Sequence, residues 1–195
     1  MRIVGGRLSG RRFSAPGGRA TRPTSDRVRE ALGSALEARG AFDGARVLDL
    51  FAGTGALSFE ALSRGAASAV LVDRDSSAIR QIKRSASELG LTEEVRALRL
   101  DLLGDPETVV RKLPATEGGF DLVFADAPYA AIDSVSSILG ALASNALLAP
   151  GAWLVVERPI DHDWAWPNPL APDADYRYGQ TGISLGVYPA GKGSQ

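Results

Sequence analysis

Acids and glycines recur in this chain where chemistry is possible. Asp49-Leu-Phe-Ala-Gly-Thr-Gly55 sets a carboxylate just ahead of a glycine turn, and Asp73, Asp101 and Asp126 each close a later apolar run. One acid in such a place is commonly a helix cap or a loop hydrogen bond. Four in succession, on runs that alternate with helical segments, point to a ligand-binding edge beyond the carboxyl ends of parallel strands.

The glycine turn excludes one class of ligand. A dinucleotide fingerprint needs a third glycine where this chain has Ser58, so a pyrophosphate at the helix N-terminus is disfavoured. A cofactor with adenosine, sulfonium and amino-acid parts, and no phosphate, fits better, which points to S-adenosylmethionine with S-adenosylhomocysteine as product. Asp49 is then placed for the ammonium, directly or through water, and small Ala52, Gly53 and Gly55 let the backbone approach. Asp73, 20 residues after Gly53, suits the ribose hydroxyls, and Asp101 suits the adenine amino group, because an ionised carboxylate only accepts. The candidate contacts are Asp49, Phe51, Ala52, Gly53, Thr54 and Gly55, Asp73 with Arg74, Asp101 with Leu102, and Asp126.

Asp126-Ala-Pro-Tyr129 carries the other half of the chemistry. An amino group conjugated to a base is a poor nucleophile because its lone pair is delocalised into the ring. The Asp126 carboxylate and the Ala127 carbonyl can each accept one of its N–H bonds and so aim the lone pair at a methyl group. Pro128 stiffens the loop, and Tyr129 stacks on the extruded base. Proximity then carries much of the rate, with neither metal nor covalent intermediate required. This loop reads an amino group rather than one particular base, so adenine N6 in DNA, or another RNA base, stays open beside guanine. A non-catalytic RNA-binding module on the same fold is the reading from another class.

Those residues need a scaffold, and the apolar pattern supplies it. Runs at 46–51, 69–73, 95–101, 120–126 and 152–157 read as strands, and 56–64, the segment after Asp73 (Ile79, Ile82, Ala86, Leu89) and 132–144 read as helices. Pro23-Thr-Ser25 starts an earlier helix that Gly40 closes, with a hydroxyl as N-cap. Residues 161–174, with three prolines and two tryptophans, read as irregular, and 176–178 with 183–188 as a closing hairpin. The alternation predicts an α/β fold, doubly wound around a mostly parallel seven-stranded sheet. Residues 1–22 form a basic hairpin or arm, 23–190 the catalytic domain and 191–195 a frayed tail.

Bulk composition narrows the classes further. The chain has 195 residues and no cysteine, which removes thiolate metal sites, disulfides and a cysteine nucleophile. Neither a signal peptide nor a membrane span is legible, so the expected setting is cytoplasmic, with no membrane partner. The net charge of -1 hides an asymmetry, because residues 1–40 carry nine arginines against Asp26, Glu30 and Glu37. Such an arm suits a polyanion.

The chain resembles the RsmD-type methyltransferases along nearly its whole length. The likeness lies in Ile3-Val-Gly-Gly6, Gly10-Arg-Arg12, Arg22-Pro-Thr-Ser-Asp-Arg-Val-Arg-Glu30, the Asp49–Gly55 turn, Glu60-Ala-Leu-Ser-Arg64 and the Asp126 loop. The resemblance implies a class I, Rossmann-like methyltransferase acting as a monomer on guanine N2 in 16S rRNA, naked or within the small ribosomal subunit. It implies RNA contacts from Arg2, Arg7, Arg11, Arg12, Arg22, Thr24 and Arg27, the last two residues facing the active site. Two positions depart from the family pattern. Ala127 replaces the usual first proline of Asp-Pro-Pro-Tyr, keeping the carbonyl but losing the fixed φ, and Asp73 stands where Glu is frequent.

Other residues read as structural. His162 is expected on a surface loop, Trp153 in the core, and Trp164 and Trp166 in packing rather than on RNA. Arg158, after the fifth apolar run, is a candidate for the substrate side.

Overall fold

A computed structural model describes residues 1–14 and 26–190; Arg22, Thr24 and the N-cap expected at 23–25 lie outside the described residues, as does the tail. The chain divides into two compact units, residues 1–100 and 101–195.

In the first unit α1 (Asp26–Glu37) precedes β1 (Arg46–Leu50), α2 (Ala56–Ser63), β2 (Ser68–Asp73), α3 (Ser76–Leu89) and β3 (Val95–Arg99). β2 pairs in parallel with β1 on one side and β3 on the other. Val47, Leu48, Leu50, Leu71 and Val72 are fully buried, so β1 and β2 read as continuous apolar runs rather than alternating ones. α3 buries Ile79, Ile82, Ala86 and Leu89. The Asp75 side chain caps it by accepting from the Ser77 N–H, and Gly90 ends it in the left-handed region at φ 74°.

In the second unit α4 (Pro106–Val110), β4 (Phe120–Asp126), α5 (Ile132–Ser144), β5 (Leu148–Pro159), β6 (Ala171–Tyr178) and β7 (Thr181–Val187) follow. β4 and β5 are parallel, and β7 runs antiparallel between β5 and β6. The strand order is β3-β2-β1-β4-β5-β7-β6 in a seven-stranded sheet. No helix among the described residues is long and apolar enough to cross a membrane.

Several boundaries differ from the sequence expectation. β6 begins at Ala171, inside a stretch expected to be irregular. It is an edge strand, and Pro172 sits where its register with β7 shifts, so the missing N–H leaves no ladder bond unmade. α4 was not expected. Its signal is Asp105-Pro106, a capping side chain that accepts from the Thr108 N–H, followed by a proline in the first turn. β1 stops at Leu50 because Phe51 turns into positive φ, and β3 stops at Arg99, leaving Asp101 in the following loop. α1 ends at Glu37, and Gly40 serves the turn after it at φ 65°.

The basic N-terminal segment is docked rather than extended. A single antiparallel bridge joins Arg2 and Arg12, with a 3-10 turn at Gly6–Leu8 between them. Ile3, Leu8 and Phe13 are buried, and the Phe13 ring meets Phe59 of α2 edge-on at 5.2 Å. The polar residues of α2 complete the joint. Glu60 accepts from the Val4 and Gly5 N–H groups, and Ser63 Oγ accepts from the Leu8 N–H while donating to the Gly5 carbonyl. On α3, the Ser14 N–H donates to Glu88, and Arg11 donates to the Leu89 and Glu88 carbonyls at the helix end.

Arg64 locks α1 against α2. Its guanidinium is buried and reaches Glu30, Glu37 and Glu60 at 2.9, 2.8 and 3.6 Å. Gly5 and Gly33 make room for it, since a Cβ there would come within 2.0 and 2.7 Å of the guanidinium. The docking gives a stability prediction. Phe13→Ala should cost about 3 kcal/mol in urea denaturation, the usual scale for deleting a buried ring. A loss below about 1 kcal/mol would show that the segment rests on the fold without supporting it.

Candidate active site

The carboxyl ends of β1 and β2 converge through the glycine turn. Phe51, at φ 62°, is a non-glycine residue in the left-handed region, a conformation found where the surroundings impose it. The imposing bonds are short. The Ala52 N–H donates to the Val72 carbonyl at 2.9 Å, the Gly53 N–H to Asp73 Oδ2 at 2.9 Å, and the Gly55 N–H to the Ala52 carbonyl at 2.7 Å. Gly55 admits no side chain. Its φ is 76°, and a Cβ would lie 2.8 Å from Leu71 and 2.9 Å from Phe59. Thr54 is half-buried within the turn.

Asp49 is only 2% exposed within β1, and Ser58 Oγ of α2 donates to its Oδ2 at 2.7 Å. Burial pushes its pKa up to about 7; the Ser58 hydroxyl and main-chain N–H pull it down, and the charge of Asp73 pushes it up further. A buried carboxylate raised in this way gains from a cation brought beside it. Asp73 accepts from the Gly53 N–H through Oδ2 and from the Asp75 N–H, at 2.8 Å, through Oδ1. Each oxygen keeps further acceptor capacity, so the carboxylate both shapes the turn and can accept from a ligand. Arg74 is exposed, and its carbonyl accepts from Arg99.

In the second unit, Asp101 lies exposed and accepts from the Leu103 N–H at 3.0 Å. Leu102 is buried, whereas Leu103, which the sequence reading passed over, is a large exposed apolar residue. Asp126 ends β4 half-buried, and Ala127 behind it is buried, with Pro128 and Tyr129 exposed. The Ala131 N–H donates to the Pro128 carbonyl at 2.7 Å and closes the turn. Tyr129 is 44% exposed, its hydroxyl 3.5 Å from Thr181 Oγ1 on β7.

The arginines expected on RNA divide into two groups. Arg2 pairs with Asp26 at 2.6 Å, Arg7 with Glu94 at 3.3 Å, and Arg11 with the end of α3. Arg12 and Arg27 are exposed. Arg158 is corrected: it is buried and bonds Ser184, Asp175 and the His162 carbonyl, holding the proline-rich loop to β5, β6 and β7. Trp166 covers Gly186 of β7, and Trp164 packs edge-on against it at 5.5 Å, as packing residues do. Trp153 is half-buried rather than fully so, and His162 lies 3.8 Å from Asp133.

Comparison with known proteins bears on this geometry. The family model described as conserved hypothetical protein 95 matches residues 1–186. The ribosomal RNA small subunit methyltransferase D of Escherichia coli K12 is 32% identical over 164 residues, 83% of this chain and 76% of that protein. This chain belongs to the RsmD family of rRNA methyltransferases. The Bacillus subtilis protein YlbH is 34% identical over 188 residues, 95% of this chain and 97% of that one. The solved structure of Escherichia coli yhhF superposes with a TM-score of 0.82 at 28% identity, covering 97% and 98% of the two chains. The methyl donor of the RsmD family is S-adenosylmethionine.

The raised Asp49 has a consequence for stability. Its folded pKa of about 7 lies above the ordinary 3.8, so the contribution of Asp49 to stability is fullest below about pH 4 and is lost as pH rises towards 7. Relative to wild type, Asp49→Asn should therefore gain on the order of 1 kcal/mol per pH unit across that window and stay level above it. Urea denaturation of both proteins at pH 4.5, 6 and 8 measures the difference. A constant difference would mean that Asp49 titrates as an ordinary carboxylate.

Proposed function

We propose that this enzyme transfers a methyl group from S-adenosylmethionine to the exocyclic N2 of a guanine in 16S rRNA. The observation that carries the reading is the Asp126 loop, where a half-buried carboxylate, a buried Ala127 and an exposed Tyr129 follow one another at the end of β4. Membership of an rRNA methyltransferase family gives that loop its substrate class.

The residues present suit the donor. In the first unit, Asp49 would accept from its ammonium and Asp73 from its ribose hydroxyls, with Phe51 to Gly55 and Arg74 as further contacts. Asp101 and Leu102 are proposed for its adenine on the sequence pattern. S-adenosylmethionine supplies a methyl on a sulfonium, whose transfer returns the C–S electron pair to sulfur and leaves S-adenosylhomocysteine. The Asp126 carboxylate and the Ala127 carbonyl accept the two N–H bonds of N2, and this aims the nitrogen lone pair at the methyl. As the new C–N bond forms, N2 sheds a proton towards Asp126 or water. Tyr129 stacks on the base, and Pro128, at φ -51°, limits the freedom that Ala127 leaves in the loop.

Arg12 and Arg27 are the exposed cations best suited to phosphates, with Arg2, Arg7 and Arg11 adding charge from positions pinned to the protein's own surface. Arg22 and Thr24, which lie outside the described residues, are proposed as RNA contacts on the family resemblance. We take the enzyme to act as a monomer, on naked rRNA or on a small subunit.

Tritium transfer from labelled donor to deproteinised 16S rRNA, small subunits and duplex DNA separates the substrates. Label in DNA alone would overturn the reading, and mass-spectrometric mapping of the product names base and atom. Asp126→Ala should reduce transfer at least 100-fold, the lower range for a positioned acid–base group, with donor affinity within about threefold. Transfer at the wild-type rate would remove the loop from the mechanism. Replacing Arg12 and Arg27 together by Gln should flatten the salt dependence of RNA binding by up to two phosphate contacts. An unchanged slope would place those two arginines off the RNA.

A further inference from the structure

Ser58 occupies the place where a dinucleotide-binding turn carries its third glycine. It is fully buried on α2, and its hydroxyl donates to Asp49 Oδ2 at 2.7 Å. A glycine or alanine here would keep the main-chain N–H that also acts on Asp49 and remove the hydroxyl donor alone. The charged groups around Asp49 offer it no donor. Among the charged groups near it, Asp73 at the end of β2 is of like sign. On α2 the carboxylate of Glu60 is turned instead to the Val4 and Gly5 N–H groups. The side-chain donor that steadies Asp49 is therefore Ser58.

We propose that Ser58 is a positioning residue for the amino-acid end of the methyl donor, fixing the rotation of the Asp49 carboxylate so that its remaining lone pairs accept from the donor's ammonium. This rests on the reading of Asp49 given above. An ionised carboxylate has about four acceptor sites. One is held by the Ser58 hydroxyl, which adds to the bond from the Ser58 main-chain N–H and limits the turning of the group about its own bond. The same bond favours the charged form, which is the form that binds an ammonium. Burial works the other way and leaves Asp49 titrating close to neutrality. Removing the hydroxyl should therefore do two things at once: weaken the grip on the ligand, and move the pH at which that grip develops.

The experiment is calorimetric binding of S-adenosylhomocysteine, which carries the same amino-acid end, to the full chain between pH 5.5 and 8.5. Wild type, Ser58→Ala, Ser58→Gly and Asp49→Asn are compared. For wild type, affinity should rise with pH through about 7, because the carboxylate must be ionised. For Ser58→Ala and Ser58→Gly, affinity at pH 7 should fall about tenfold and the midpoint should move up by about one pH unit, with part of the loss, the share that belongs to positioning, persisting at pH 8.5. Full recovery at pH 8.5, a parallel loss with an unmoved midpoint, or no loss would overturn the positioning role, because a purely structural serine would not move the profile and a purely electrostatic one would leave no loss at high pH. Asp49→Asn separates this inference from the one beneath it. If that variant binds as tightly as wild type, Asp49 does not hold the ammonium and both readings fall. If it binds weakly while the serine variants keep the wild-type midpoint, only the role of Ser58 falls.

Discussion

Helix α2 is the constraint on which the first unit depends. Seven of its eight residues are buried, among them Ser58, Glu60 and Ser63. A helix with no wet face must find an internal partner for every polar side chain, because an unpaired one would cost on the order of 1–3 kcal/mol. Each of the three has such a partner, and the partners lie in two different parts of the first unit. Ser58 reaches the acid in β1, while Glu60 and Ser63 hold the backbone of the N-terminal segment. The helix thus ties Asp49 of β1 to the segment that carries Arg2, Arg7, Arg11 and Arg12.

That arrangement alters what the basic segment can be. An extended, independent arm would present its arginines to any polyanion. Here the segment buries Ile3, Leu8 and Phe13, and three of its arginines already bond the protein surface. Burial of Glu60 raises its pKa in spite of the Val4 and Gly5 N–H groups that lower it, so the docked backbone and the helix are coupled through a carboxylate in low dielectric. Surface ion pairs such as Arg2–Asp26 and Arg7–Glu94 add little stability by themselves. The apolar contacts and the buried carboxylate do more. The segment is part of the fold first, and the RNA contacts proposed for it rest on what it leaves exposed, Arg12 above all.

The second unit solves a different problem, that of holding a short loop in which alanine rather than proline follows Asp126. Ala127 is buried and Pro128 keeps its φ, while the Pro128 carbonyl accepts from Ala131 and fixes the turn that lifts Tyr129 into solvent. Behind it, the buried Arg158 draws β5, β6, β7 and the proline-rich loop together through Ser184, Asp175 and the His162 carbonyl. Preorganisation lost in one covalent ring is offset by packing and hydrogen bonds.

Much of this was legible in the residues alone. The strands of the parallel part are unbroken apolar runs because both their faces are buried, and the strand ends follow from where acids and glycines interrupt those runs. The same periodicity placed α3 and α5 and brought Asp49, Asp73 and Asp126 to strand ends. Other features depended on partners far away in sequence, to which local patterns are blind. Pro172 reads as incompatible with a regular strand until its place on a sheet edge is known, and the sequence leaves the place of Arg158 undecided, whereas the fold sets Asp175 and Ser184 beside it. The raised Asp49 and the serine that steadies it belong to the same class, since burial and proximity are properties of the packed molecule. Residue types and spacing determined which groups the protein has and on which elements they stand. Tertiary structure decided which are dry, which are paired and which remain available to a ligand, because desolvation and long-range contacts exist only once the chain has folded.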